Sequence, residues 1–81
     1  MSHSIPIDKK NYPQYIKLGL NIAYYRRQKG LTQEQLAEKA GIERSRVSKT
    51  EIAWVGTSLD IIFKIADALE VEPYKLFIER D

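Results

Sequence analysis

The chain reads as an all-α domain of five short helices, and three observations lead there. Apolar residues recur at helical spacing through most of its 81 residues. No stretch of useful length alternates with the period of two that a half-buried strand requires. Glycines at positions 30 and 41, and N-cap residues at Thr32 and Ser58, cut the pattern into short segments. A chain of this length holds one domain, near the size at which a single core is only marginally sufficient.

The elements follow in order. Residues 1–11 show no helical period and carry Pro6, so they read as a flexible N-terminal tail preceding a domain at 12–81. The lone histidine, His3, lies in that tail and has no neighbour pattern of a ligand. Lys9 and Lys10 lie there too, as a solvated terminus or an arm able to touch phosphate. The first helix is expected from Tyr12 or Pro13 to Lys29; proline costs little at the start, where its missing N–H would be unpaired anyway. Leu18, Ile22 and Tyr25 form its core stripe. Ile16, Leu20 and Tyr24 form a second stripe, either additional core or a partner surface.

Gly30 ends that helix, and Thr32 caps the next, whose Leu36, Ala37 and Ala40 give one apolar side. Gly41 stops it, because glycine reaches the left-handed conformation without a side-chain penalty. Ile42 turns into the core, and a third helix begins at Glu43 or Arg44. This is a helix-turn-helix pattern, in which the second of the two helices can lie in the major groove of DNA. Residues 52–57 form a loop. Ser58 caps a fourth helix with Leu59, Ile62, Ile65, Ala66 and Leu69 at helical spacing, and Pro73 opens a short fifth helix to Glu79, with Leu76 and Phe77 closing the core.

Composition excludes several function classes. The absence of cysteine removes disulfides and thiolate metal sites and fits a reducing compartment. No apolar run approaches the roughly 18 residues of a membrane helix, and the N-terminus lacks the apolar core of a signal peptide, so a cytoplasmic location is expected. With no nucleophile–base pair, glycine-rich phosphate loop or metal-ligand spacing, neither catalytic residues nor a metal or cofactor are expected. No small-molecule ligand is evident. The net charge of +2 decides little, but its distribution is informative. Arg26, Arg27, Lys29, Lys39, Arg44, Arg46 and Lys49 load the first two-thirds, whereas Glu70, Glu72, Glu79 and Asp81 load the end. That asymmetry suits a half facing phosphate and a half turned away from it.

An ordered set of residues carries a resemblance. Arg26, Gly30-Leu31-Thr32-Gln33, Leu36-Ala37, Gly41-Ile42, Val47-Ser48, Glu51, Leu59, Ala66, Leu69, Val71 and Leu76-Phe77 match, without a gap from about Leu18 to Phe77, the phage-repressor and Cro-like (XRE-type) helix-turn-helix family of transcription regulators. The resemblance implies a lambda-repressor-like DNA-binding domain with helices 2 and 3 as the motif. It also implies a homodimer on an inverted-repeat operator in double-stranded DNA, acting most simply as a repressor.

At about 100° per residue, Arg44, Ser45, Ser48 and Lys49 share an arc of roughly 140°, with Val47 opposite. Arginine and lysine can donate to guanine O6 and N7, and serine can donate or accept. Arg44, Ser45 and Lys49, which match the family's base-reading positions, are therefore the expected base contacts. Thr32, Gln33, Arg46 and Ser48 are the expected phosphate contacts, the first two at the positive end of a helix dipole. The resemblance further implies a structural ion pair between Arg26 and Glu51.

Two departures from the family pattern stand out. Glu43 occupies the place of a serine or threonine N-cap. The loop after Glu51, usually basic with a glycine and a proline, reads Ile52-Ala53-Trp54-Val55-Gly56-Thr57, which puts phosphate contacts from loop side chains in doubt. Trp54 and Val55 pack either against the fourth helix or, with Tyr74 and Ile78, in a dimer contact. These departures also motivate an alternative, a helix-turn-helix fold used as a protein-interaction or antitoxin-type module with weak or no DNA binding.

Overall fold

The computed structural model describes residues 5–80; His3 and Asp81 lie outside that range. It holds four α-helices: α1 (Tyr12–Gln28), α2 (Gln33–Ala40), α3 (Arg44–Glu51) and α4 (Leu59–Leu69). Short 3-10 turns at Lys9–Asn11 and Pro73–Leu76 flank them. No strand is present among the described residues; one isolated antiparallel bridge joins Ile5 to Gly56.

Local chemistry sets the helix ends. Thr32 and Gln35 form a reciprocal capping box: Gln35 N–H donates to the Thr32 hydroxyl (3.0 Å), and Thr32 N–H donates to the Gln35 amide oxygen (2.9 Å). Gly41 closes α2 at φ 71°, in the left-handed region. The Ser58 hydroxyl accepts from Ile61 N–H and caps α4. Glu43 sits at the N-cap of α3 but makes no side-chain cap bond.

The apolar periods then meet in one core. Leu18 and Ile22 of α1, Leu36 and Ala37 of α2, Val47 of α3, and Ile62, Ile65, Ala66 and Leu69 of α4 are buried together, with Leu76 beneath. Each fully buried branched side chain contributes about 1.5–3 kcal/mol relative to its exposed state. The second α1 stripe is not core: Ile16, Leu20 and Tyr24 are all exposed.

The C-terminal segment departs from the expected fifth helix. After Leu76 the chain leaves helical geometry, because its carbonyls are engaged from outside. The Asn21 amide, buried in α1, donates to the carbonyls of Leu76 (2.9 Å) and Ile78 (2.8 Å). Its oxygen accepts from Arg80 Nε (2.9 Å), and the Arg80 guanidinium lies 3.8 Å from the Tyr24 ring centre. Leu76 is consequently buried, whereas Phe77, expected beside it in the core, points outward. The N-terminal segment differs as well: residues from Ile5 onward, expected to belong to a tail, lie against the loop after α3.

Gly19 decides how closely α1 and α3 approach. A Cβ there would stand 2.5 Å from the carbonyl oxygen of Glu51 and 2.6 Å from that of Thr50, both backbone atoms that cannot swing away. Alanine within a helix ordinarily stabilises by about 1 kcal/mol over glycine. At this position the sign reverses. Gly19→Ala is expected to cost about 3 kcal/mol or more in urea unfolding, whereas Gly41→Ala, where a Cβ meets open space and only the backbone is strained, is expected to cost about 1–2 kcal/mol. Equal losses in the two variants would contradict the close approach.

Candidate nucleic-acid interface

The site is built on α3, whose inner side is anchored and whose outer side is free. Val47 is fully buried, and Thr50 and Glu51 are buried on either side of it. Thr50 also donates its hydroxyl to the Arg46 carbonyl (2.7 Å), absorbing its polarity within the helix. Arg44 and Ser45 are exposed, and Arg46, Ser48 and Lys49 are half-buried. Among the described residues none of these three cations has a carboxylate within 4 Å, so Arg44, Arg46 and Lys49 carry unneutralised charge.

A three-residue network fixes the aim of that surface. Arg26 of α1 grips Glu51 at the end of α3 in a two-pronged pair, Nε to Oε2 at 2.6 Å and Nη2 to Oε1 at 3.2 Å. Both side chains are largely buried, with 11% and 4% of their surfaces exposed. Arg26 Nη1 also donates to the Leu31 carbonyl (2.8 Å), tying the pair to the turn before α2. Gln33, at the first position of α2, donates Nε2 to Glu51 Oε1 (3.0 Å). One carboxylate therefore joins three helices.

The expected phosphate contacts are placed unequally. The amide donor of Gln33 is committed to Glu51, which leaves its backbone N–H at the start of α2 as the group able to face an anion. The Thr32 hydroxyl already accepts the Gln35 N–H, but its own hydrogen remains available to donate. Ser48 lies within the outer arc and Arg46 just beyond its border, both half-buried.

Of the residues expected at a dimer contact, Tyr74 and Ile78 are exposed and Val55 is not. The loop after α3 alternates: Ile52 out, Ala53 in, Trp54 out, Val55 in. Ala53 turns the chain at φ 56°, and the Ile5–Gly56 bridge holds the far end, so Val55 is buried within its own subunit. It cannot serve as a contact surface. Trp54, at 70% exposure, is not core.

Three positioning residues carried weak signals in the sequence. Gly19 is a glycine inside a helical run, a known mark of close backbone approach. Asn21 and Gln33 act through long-range hydrogen bonds, which no local pattern announces. Among the described residues no group of three or more His, Asp or Glu side chains could hold a metal, and no helix is long and apolar enough to cross a membrane.

Comparison with known proteins places this geometry. Residues 22–76 match the family model described as Helix-turn-helix. The HTH-type transcriptional regulator SinR of Bacillus licheniformis is 34% identical over 65 residues, 79% of this chain and 59% of the regulator. The chain thus spans about three-fifths of that relative's length. The crystal structure of the restriction-modification controller protein C.AhdI from Aeromonas hydrophila superposes with a TM-score of 0.79 at 41% identity, covering 82% of this chain and all of that one. The structure of SinR, master regulator for biofilm formation, in complex with DNA superposes with a TM-score of 0.70 at 33% identity, covering 73% and 95% of the two chains.

Because the Glu51 carboxylate is buried with its partners, Glu51→Gln should lose the pairing and leave Arg26 as an uncompensated, poorly solvated cation. The expected loss is about 3–5 kcal/mol in chemical denaturation. An unfolding midpoint equal to that of the parent chain would show that the network contributes nothing to the fold.

Proposed function

The chain belongs to the helix-turn-helix family, and from that premise we propose that it is a transcription regulator reading double-stranded DNA with α3 in the major groove. The observation that carries the reading is the outer arc of α3, where unpaired Arg44 and Lys49 flank Ser45 on a helix held in aim by Arg26, Glu51 and Gln33. Arg44, Ser45 and Lys49 supply base contacts, with donors suited to guanine O6 and N7. Thr32, the Gln33 backbone N–H, Arg46 and Ser48 take phosphates and set the register.

A homodimer on an inverted repeat follows from this reading. Two copies related by a two-fold axis present their α3 helices to half-sites about 34–36 Å apart. The exposed apolar side chains suit such a pairing: Leu59 and Phe63 stand one turn apart on the outer face of α4, and Tyr74 and Ile78 lie exposed near the C-terminal end. Repression by occlusion of a promoter is the simplest output of a domain that reads DNA and presents no catalytic group.

Selection of bound duplexes from a random pool near physiological salt tests the proposal. The expected result is enrichment of an inverted repeat, with Arg44→Ala and Lys49→Ala each losing about 1–3 kcal/mol of discrimination while thermal stability is kept. Retention of DNA without sequence enrichment, vanishing as salt rises, would instead favour a protein-interaction role.

A further inference from the structure

We propose that the exposed ridge of α1, formed by Tyr12, Ile16, Leu20 and Tyr24, is a docking surface for a protein partner that presents an acidic, amphipathic helix. The ridge uses none of the residues assigned above to DNA or to the pairing of two copies, and it stands independently of the α3 reading.

The four side chains recur at intervals of four, so they line up along one side of α1. They are 45%, 40%, 57% and 38% exposed, while Leu18 and Ile22 serve the domain's own core from the other side of the helix. Ridges with this spacing seat in the grooves of a second helix. The C-terminal segment widens the surface. Pro13, Ile16 and Leu20 face Glu79 and Arg80 across an open groove of about 370 Å³.

Part of this surface is already held in place. The Tyr24 ring meets Tyr25 edge-on at 5.1 Å between centres, and its hydroxyl accepts from Gln28 Nε2 at 3.2 Å. The Arg80 guanidinium lies 3.8 Å from the ring centre and is tied by Nε to Asn21. A tyrosine and an arginine fixed in this way lose little further freedom on binding, and these residue types are favoured as interface anchors.

Charge selects the occupant. No acidic residue occurs anywhere in α1. At about 100° per residue, the ridge, Lys17 and Arg27 share an arc of roughly 140°. Arg27 is exposed and, among the described residues, has no carboxylate within 4 Å. Lys17 reaches only Glu79, at 3.8 Å, and that carboxylate is 84% exposed and free to swing away. A second copy docked here would set Lys17 and Arg27 against their own counterparts, which opposes the pairing. A helix with apolar anchors on one face and Asp or Glu beside them satisfies both the ridge and its cations.

Selection from a displayed random-peptide library on the immobilised full chain tests the proposal. The enriched peptides should carry apolar residues three or four apart, with Asp and Glu outnumbering Lys and Arg. Leu20→Ser and Arg27→Glu should each weaken the best peptide about ten-fold, with the parent melting curve and DNA affinity retained. Arg44→Ala should leave peptide affinity unchanged; a loss there would place the acidic peptide on α3 as a mimic of DNA and overturn the proposal. No enrichment, enrichment of neutral or basic peptides, or parental affinity in both α1 variants would overturn it as well. Self-association abolished by Leu20→Ser would assign the ridge to a second copy, and sedimentation with phosphatidylglycerol vesicles abolished by the same change would assign it to a lipid surface. Either result would sink the partner-helix reading while leaving the α3 reading intact.

Discussion

The carboxylate of Glu51 is the point on which the arrangement of the domain depends. It accepts from α1 through Arg26 and from α2 through Gln33, while belonging to α3. α3 needs such a tie because only Val47 of its eight residues joins the apolar core, and one apolar anchor sets depth far better than rotation. The close seat of α1 at Gly19, against the carbonyls of Thr50 and Glu51, fixes the distance; the charged network fixes the angle. A buried ion pair is a poor source of net stability, since desolvation offsets most of its attraction. Its value here lies in geometry: an Arg26 fork fits the carboxylate in one orientation, and the face bearing Arg44 and Lys49 inherits it.

Much of this was legible in the residues themselves. Caps and stops are local chemistry, so Thr32, Gly41 and Ser58 marked helix ends correctly, and the period of Ile62, Ile65, Ala66 and Leu69 identified the buried side of α4. The joining of Arg26 to Glu51 was legible only through family resemblance, because the two stand 25 positions apart and no periodicity relates them. The roles of individual side chains on α3 toward DNA remain inferences from that same resemblance and from helical geometry.

The misreadings share a cause. Past Pro73, proline and apolar spacing favoured a helix on local grounds, but the Asn21 amide draws on the Leu76 and Ile78 carbonyls from across the domain. That long-range demand stopped the segment after one 3-10 turn and left Phe77 outside. In the loop after α3, hydrophobicity alone gave Trp54 and Val55 the same two readings. The backbone separates them, since the left-handed turn at Ala53 and the bridge at Gly56 send adjacent side chains to opposite sides. A tail with no period of its own likewise gave no sign that Ile5 would find a partner 51 positions away.

Asn21 also gives the domain a particular relation to chemical ageing. Its side chain holds the C-terminal segment through two donated bonds, and asparagine is among the thermolabile residues. Deamidation would replace the donating nitrogen by a carboxylate oxygen, turning two attractions toward carbonyls into repulsions and loosening the cover over Leu76. Ring closure by the neighbouring backbone nitrogen needs a conformation that the rigid middle of α1 denies, so the folded molecule shields its own weak point. The lesion would then accumulate through the small unfolded fraction, at a rate proportional to its population. Anything that holds the domain folded, an occupied operator included, would lengthen the working life of that one amide.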